Sequence, residues 1–196
     1  MRILSNIIVG AGMSLALIAA GPVAAEMALD TNRSSVSLVS VKVTGDGSTS
    51  ASELFRFSSL TGAVDNNGNA QVIIPLEKIE TGVGIRNERM AEFLFNTATY
   101  PEATITAEIP DNALIEGSRQ IELPATLDLH GKTSGLSLMV TVNVQGDQVL
   151  VNTTEPVLFD TNVHEFSSGL AKLADLAKVF HIPSTVPVSF SLAFTK

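Results

Sequence analysis

The stretch IELPATLDLHGKTSGLSLMVTVNV, residues 121–144, decides the fold class. Apolar and polar side chains alternate over residues 121–129, and the alternation resumes over residues 136–144. A period of two residues is typical of a strand that buries one face. Residues 130–135 separate the two runs and contain two glycines. We therefore predict two antiparallel strands joined as a hairpin.

The same alternation recurs on both sides of this hairpin. It is clearest near the C-terminus, where every second residue is a large apolar one: Val186, Val188, Phe190, Leu192 and Phe194. Further strand candidates are residues 36–44, 55–64, 70–76, 103–109 and 148–154. In the first of these, Leu38 and Val39 belong to alternating series of opposite parity. A bulge near Leu38 would place both series on one face, so we predict a bulge there.

Only two segments have apolar residues at helical spacing, residues 86–95 and 168–180. The second has an apolar stripe that ends at Phe180. About eight strands with turns every 8 to 12 residues predict one all-β domain, with these two short helices as lids or plugs. The pattern alone leaves a sandwich and a closed barrel open.

The first 25 residues have the three parts of a secretory signal peptide. Arg2 supplies the charge, residues 7–20 are apolar, and Val23 and Ala25 are suitably small for a cleavage site. We predict cleavage after Ala25, which leaves residues 26–196 as one domain in the periplasm. No later apolar run approaches the ~20 residues of a membrane-spanning helix, so we predict no transmembrane segment in the mature chain.

Composition excludes several classes of function. Twenty acidic residues against twelve basic ones give a net charge of −8, which argues against nucleic acid as a partner. The chain has no Cys, and therefore no disulfide, thiolate zinc site or lipoprotein anchor. His130, His164 and His181 lack metal-ligand spacing, so we interpret them as turn and surface residues and predict no metal site. No Gly-x-Ser-x-Gly motif or other catalytic constellation occurs in the mature chain.

One series of short motifs is more specific. It comprises Ile79-Glu80-Thr81-Gly82, Arg86-Asn87, Met90, Leu94-Phe95-Asn96 and Tyr100-Pro101-Glu102-Ala103, with Phe57-Ser58-Ser59-Leu60-Thr61-Gly62 before it and Leu127-Asp128-Leu129-His130-Gly131-Lys132-Thr133 after it. In this order the motifs resemble the YceI-like family of periplasmic polyisoprenoid-binding proteins. The resemblance implies an all-β fold, a single antiparallel eight-stranded lipocalin-like barrel with two short helices. Its interior would hold the isoprenoid tail of a quinone or polyprenyl lipid.

A tunnel for such a tail needs apolar side chains on the inner face of the strands. The candidate ligand-binding residues are Val41, Phe57, Arg86, Met90, Leu94, Phe95, Leu127, Leu129, Leu138, Val140, Phe180, Val188, Phe190 and Leu192. Arg86 is the polar residue expected nearest the head group. The role that we favour for it, however, is to cap loop carbonyls or to pair with a carboxylate such as Glu80. The helical residues Met90, Leu94 and Phe95 are core residues first and ligand contacts second.

The leading hypothesis is a non-enzymatic carrier or sequestering protein for an isoprenoid lipid or quinone, with no required cofactor. Two alternatives stay open at this stage. One is an enzyme acting on an apolar lipid, and the other is a module with a solid core that binds an envelope protein partner. A homodimer is compatible with each of these hypotheses.

Export gives the first testable prediction. Protein recovered from the periplasm should begin at Glu26, because the cleavage-type sequence ends at Ala25. Intact-mass analysis checks this, and a recovered chain that still carries Met1 would contradict it.

Overall fold

A computed structural model describes residues 25–196, and in it the chain forms one antiparallel sheet of twelve strands. The strands are β1 (Ala25–Leu29), β2 (Ser35–Thr44), β3 (Thr49–Phe57), β4 (Thr61–Asp65), β5 (Asn69–Pro75), β6 (Ile79–Glu80), β7 (Glu102–Glu108), β8 (Gly117–Leu129), β9 (Lys132–Gln145), β10 (Gln148–Thr153), β11 (Val157–Asp160) and β12 (Thr185–Thr195). The α-helices are α1 (Gly84–Arg89), which continues as a π-helix over Met90–Phe95, and α2 (Ser167–Ala177). Short 3₁₀ helices span Thr31–Arg33, Leu76–Lys78, Asp111–Ala113 and Thr161–His164. The predicted signal peptide lies outside the described residues, apart from Ala25.

Eight of the strands close into a barrel, which confirms the fold expected from the resemblance. Their order around the ring is β1-β4-β5-β7-β8-β9-β10-β12, and β12 pairs back onto β1. Along one edge of β12, β1 is followed by β2, and along the other edge β10 is followed by β11. β3 pairs with β2, and β6 pairs with β3. These four additional strands lengthen the barrel beyond the closed ring.

The hairpin predicted from residues 121–144 is present as β8 and β9. The two strands pair without a break from Gly117 opposite Val144 to Leu129 opposite Lys132. The turn consists of two residues rather than six, since β9 already begins at Lys132. Both turn residues, His130 and Gly131, have positive φ, as in the tight turns that match the twist of paired strands.

The predicted bulge in β2 is wrong. β2 and β3 pair in unbroken register from Val36 opposite Phe57 to Thr44 opposite Thr49. Leu38, Ser40 and Lys42 therefore share the inner face with Val36, and Val41 lies on the outer face with its neighbours of the same parity. The valines on the outer face of β2 are themselves partly buried, so apolar residues occur on both faces of the strand. The sequence pattern therefore suggested a bulge that is absent.

The single strand predicted for residues 55–64 is also divided in two. It breaks at residues 58–60, between β3 and β4, where the side chain of Leu60 is fully buried. A buried side chain at an interruption occupies the core just as a strand residue would. The alternating pattern therefore does not reveal the break.

His164 is fully buried, which corrects its interpretation as a surface histidine. Its Nδ1 donates to the carbonyl oxygen of Leu129 at 2.8 Å, and its Nε2 accepts from the hydroxyl of Ser134 at 3.0 Å. The turn residue His130 in turn donates from Nδ1 to the carbonyl oxygen of His164 at 3.0 Å. Within the described residues β11 forms a ladder with β12 alone. These side-chain hydrogen bonds therefore hold the 3₁₀ helix that follows β11 against the β8–β9 hairpin.

The two helices cross where α2 carries Gly169. A Cβ atom at this position would lie 2.6 Å from the carbonyl oxygen of Phe93 and 3.0 Å from the Cα of Leu94. Glycine thus lets α2 approach the backbone of the π-helix directly. The close contact fixes both helices over one end of the barrel.

We expect Gly169→Ala to destabilise the protein by about 1–3 kcal/mol, because the added methyl group must displace backbone atoms. Gly84→Ala is the matched control, since a Cβ there meets no atom within 4 Å. Chemical denaturation measures both variants. A Gly169→Ala protein as stable as the Gly84→Ala protein would contradict the proposed contact.

Candidate functional site

The barrel interior contains two neighbouring cavities. The larger one has a volume of about 280 Å³ and is lined by apolar side chains of the strands and of both helices. The smaller one has a volume of about 70 Å³ and lies toward the other end of the barrel, near Met27 and Phe194. An apolar cavity of about 150 Å³ accommodates a benzene ring. The larger cavity alone therefore has room for on the order of a dozen carbon atoms.

β12 connects the two cavities. Its inward residues Val186 and Val188 line the larger cavity, and Leu192 and Phe194 line the smaller one. Phe190 lies between these pairs and lines both, as do Val36, Ile105 and Leu138. Only side chains at the level of Phe190 separate the cavities. The inward-facing residues of β12 therefore line the interior from one cavity to the other.

Most of the residues predicted to bind a ligand lie in the cavity walls. Ten of them line the larger cavity: Phe57, Arg86, Met90, Leu94, Phe95, Leu127, Leu129, Leu138, Val188 and Phe190. Leu192 lines the smaller cavity. The structure thus brings together side chains from β3, the first helix, the β8–β9 hairpin and β12.

Three predicted residues do not line either cavity. Val41 lies on the outer face of β2 because the register is unbroken. Val140 points inward but is fully enclosed by other side chains. Phe180 is 63% exposed because α2 ends at Ala177 and Lys178 adopts a left-handed conformation, which takes the chain out of the helical stripe. The ring of Phe180 would be 3.6 Å from a Cβ at Gly47, in the β2–β3 turn.

A cluster of charged side chains lies at one end of the larger cavity. Arg86 donates from Nη1 to Oε2 of Glu53 at 2.7 Å, and the Nζ of Lys42 is 3.2 Å from the same oxygen. Arg86 also donates from Nη2 to the carbonyl oxygen of Thr81 at 2.7 Å, and its guanidinium lies 4.7 Å from the centre of the Phe55 ring. The three charged side chains line the cavity, yet about one quarter to one third of the surface of each is exposed. The cavity therefore reaches solvent here, and we call this end the mouth.

The role favoured for Arg86 is confirmed, since it donates to a loop carbonyl and pairs with a carboxylate, but that carboxylate belongs to Glu53 and not to Glu80. Glu80 instead accepts a hydrogen bond from the hydroxyl of Ser58. Glu53 reaches Arg86 because Glu53 lies on the inner face of β3. It is the second inward-facing residue before Phe57 in the chain. Strand register, and not distance along the chain, selects the carboxylate.

Sequence reasoning missed Lys42, Glu53 and Arg89 as members of this cluster. The register of β2 was the signal for the first two, since Lys42 has the parity of Val36 and Ser40 pairs with Glu53. Arg89 follows Arg86 by three residues and therefore lies on the same helix face, where it is partly buried and lines the cavity.

The ion pairs alter the titration of Glu53. The hydrogen bond from Arg86 lowers the pKa of the Glu53 carboxyl, and Lys42 adds to this effect, while partial burial opposes it. The carboxylate is thus charged at neutral pH. Two buried polar atoms in the cavity wall, Nε of Arg86 and Oγ1 of Thr161, have no hydrogen-bond partner among residues 25–196.

The described part of the chain contains neither a cluster of metal ligands nor a membrane-spanning helix. No three His, Asp or Glu side chains there lie close enough together to hold a metal ion. No helix between residues 25 and 196 has the length and apolar character needed to cross a membrane.

Comparison with known proteins gives consistent matches. The family model of the YceI-like domain matches residues 27–194. A solved polyisoprenoid binding domain from Saccharophagus degradans, implicated in plant cell wall breakdown, is 32% identical with a TM-score of 0.81, covering 87% of this chain and 98% of that one. No curated protein sequence is significantly similar.

Two more distant structures share the fold. BcnA of Burkholderia cenocepacia is 21% identical with a TM-score of 0.61, and the alignment covers 84% of this chain and 98% of that chain. A Campylobacter jejuni YceI protein is 13% identical with a TM-score of 0.52, and the alignment covers 72% of this chain and 84% of that chain.

We expect Glu53→Gln to lower the stability by up to about 1 kcal/mol at pH 7, since the ion pairs are partly exposed. The folded-state pKa of Glu53 is below its unfolded value of 4.5. The stabilisation is therefore fully present above pH 4.5 and is lost as the pH falls through the folded-state pKa.

Denaturation of both proteins between pH 7 and pH 3 measures this effect. Glu102→Gln, at an exposed carboxylate that forms no ion pair among residues 25–196, should show no comparable pH dependence. If the difference in stability between wild type and Glu53→Gln stayed constant over the whole pH range, the stabilisation could not come from the charged carboxylate of Glu53.

Proposed function

The chain belongs to the family of YceI-like domain proteins, and on that premise we propose that it is a periplasmic carrier that holds an isoprenoid lipid or quinone inside its barrel. The observation that carries the proposal is the cavity of about 280 Å³, which is apolar over most of its length and reaches solvent at a charged mouth. The 32% identical relative from Saccharophagus degradans is a polyisoprenoid binding domain, which supports this ligand class.

The physical basis of binding would be the transfer of an apolar tail out of water. Each buried methylene contributes about 0.8 kcal/mol, so a dozen carbon atoms contribute on the order of 10 kcal/mol before the ligand's lost freedom is deducted. The tail would run from the mouth toward Phe190, and its head group would remain near Arg86. No bond has to be made or broken for this role, which is why we propose a binding protein and not an enzyme.

The periplasmic part of the proposal rests on the leader. Residues 1–25 have the charged, apolar and small-residue parts of a secretory signal. The alternative of a module with a solid core is less well supported, because such a module would fill its interior with its own side chains.

Organic extraction of the purified protein, followed by mass spectrometry, tests the ligand class directly. We expect an isoprenoid lipid or quinone in amounts close to one per protein chain. Protein purified from the periplasm without any apolar lipid, and unable to bind one when it is added, would refute the proposal.

We expect Val188→Phe to abolish lipid retention while the delipidated protein stays nearly as stable as wild type, because the new ring would occupy cavity space. Val140→Phe is the contrasting variant. Val140 is fully enclosed and lines neither cavity, so the larger side chain should destabilise the protein by about 1–3 kcal/mol.

Ser191→Phe provides the surface control, because Ser191 is an exposed residue of β12. It should retain both lipid and stability. Thermal melting and lipid analysis measure all three variants. If Val188→Phe destabilised the protein as much as Val140→Phe, the interior at Val188 would be filled in solution and the tunnel would be wrong.

A further inference from the structure

The walls of the larger cavity change character along its length. On β2 and β3 the paired inner residues are Val36 with Phe57, then Leu38 with Phe55, then Ser40 with Glu53. Lys42 follows toward the β2–β3 turn. Among the residues of the first helix that line the cavity, Arg86 and Arg89 likewise precede Met90, Leu94 and Phe95 along the chain. Charge is thus confined to the mouth, and the rest of the wall is apolar apart from Thr161.

The charges at the mouth do not cancel. Within the described part of the chain, the only ionisable residues that line this cavity are Lys42, Glu53, Arg86 and Arg89. Three cationic side chains and one carboxylate thus share this lining, and the ion pairs of Lys42 and Arg86 use the same oxygen of Glu53. Arg89 forms none of the ion pairs found among residues 25–196. The mouth therefore carries an excess of positive charge.

This local excess is opposite in sign to the whole molecule, whose net charge is −8 and becomes one unit more negative when Arg2 is removed with the leader. A random distribution of ionisable residues in so acidic a chain would place carboxylates at the mouth at least as often as cations. Partly buried cations that lack a counter-ion interact strongly with an anion brought beside them.

We propose that the ligand of this cavity has an anionic head group, a phosphate or carboxylate, which Arg89 and Lys42 bind together with the outer edge of the Arg86 guanidinium. The inference rests on the proposed lipid-binding function and specifies its ligand class. It selects an acidic prenyl lipid over a neutral quinone or prenol. An anion at this position would also leave the tail aligned with the apolar part of the cavity.

Matched ligands separate this inference from the proposed function. Farnesyl phosphate, farnesoic acid and farnesol have the same tail and differ only in the head group. Displacement of a fluorescent apolar probe from delipidated wild-type protein measures their affinities. We expect the two acids to bind on the order of ten-fold more tightly than farnesol. Increasing salt should weaken the binding of the two acids but not that of farnesol. Inorganic phosphate alone should not displace the probe.

Variants should move the affinity in opposite directions. Arg89→Gln and Lys42→Gln should each weaken the binding of farnesyl phosphate several-fold and leave the binding of farnesol unchanged. Glu53→Gln should instead strengthen the binding of farnesyl phosphate, because Glu53 is the only carboxylate among the described residues that line the mouth. Arg56→Gln is the control, since Arg56 is exposed on the outer face of β3. The tightening by Glu53→Gln cannot be produced by partial unfolding.

The outcomes are distinct. If farnesol and the acids bind equally and no variant discriminates between them, the anionic head group is refuted while the lipid-binding function stands. If none of the three farnesyl compounds binds, both fail. If inorganic phosphate displaces the probe as well as farnesyl phosphate does, the mouth is a site for free phosphate and the inference is refuted.

Discussion

The pairing of β12 with four other strands is the interaction on which the architecture depends. β1 and β2 share one of its edges, and β10 and β11 share the other. Because the side chains of a strand alternate between faces, one long strand also supplies a continuous row of apolar residues to the interior. The same eleven residues therefore close the barrel, extend it beyond the ring and line both cavities.

The mouth follows from the same geometry in β2 and β3. Their unbroken register turns Ser40, Lys42 and Glu53 inward, on the face that buries Val36 and Phe57 further along. Polar residues on an inner face are tolerated only where water or charged partners reach them. The inward position of these residues and the opening of the cavity to solvent are thus two aspects of one arrangement.

Alternation predicted the strands well because its cause is local. β8, β9 and β12 were recognisable from period alone, and so were both helices. The errors arose where two signals conflicted. Val41 is apolar, as a core residue would be, but it lies on the outer face of β2. Only the pairing of β2 with β3 reveals this. Glu53 lies far from Arg86 in sequence, and His164 contacts Leu129, which is 35 residues away. Such contacts depend on topology, which no local pattern contains.

His164 also determines how the barrel wall resists deformation. Neighbouring strands of the closed ring are joined by ladders of backbone hydrogen bonds, but β11, one of the additional strands, has such a ladder on its β12 side alone within the described residues. On its other side the wall is closed by His164 bonded to Leu129 and Ser134. Opening this seam breaks a few side-chain hydrogen bonds instead of a strand ladder, so it requires less free energy than separation of a long strand pair such as β8–β9. Amide hydrogens along the seam should therefore exchange through local fluctuations while the rest of the barrel stays closed.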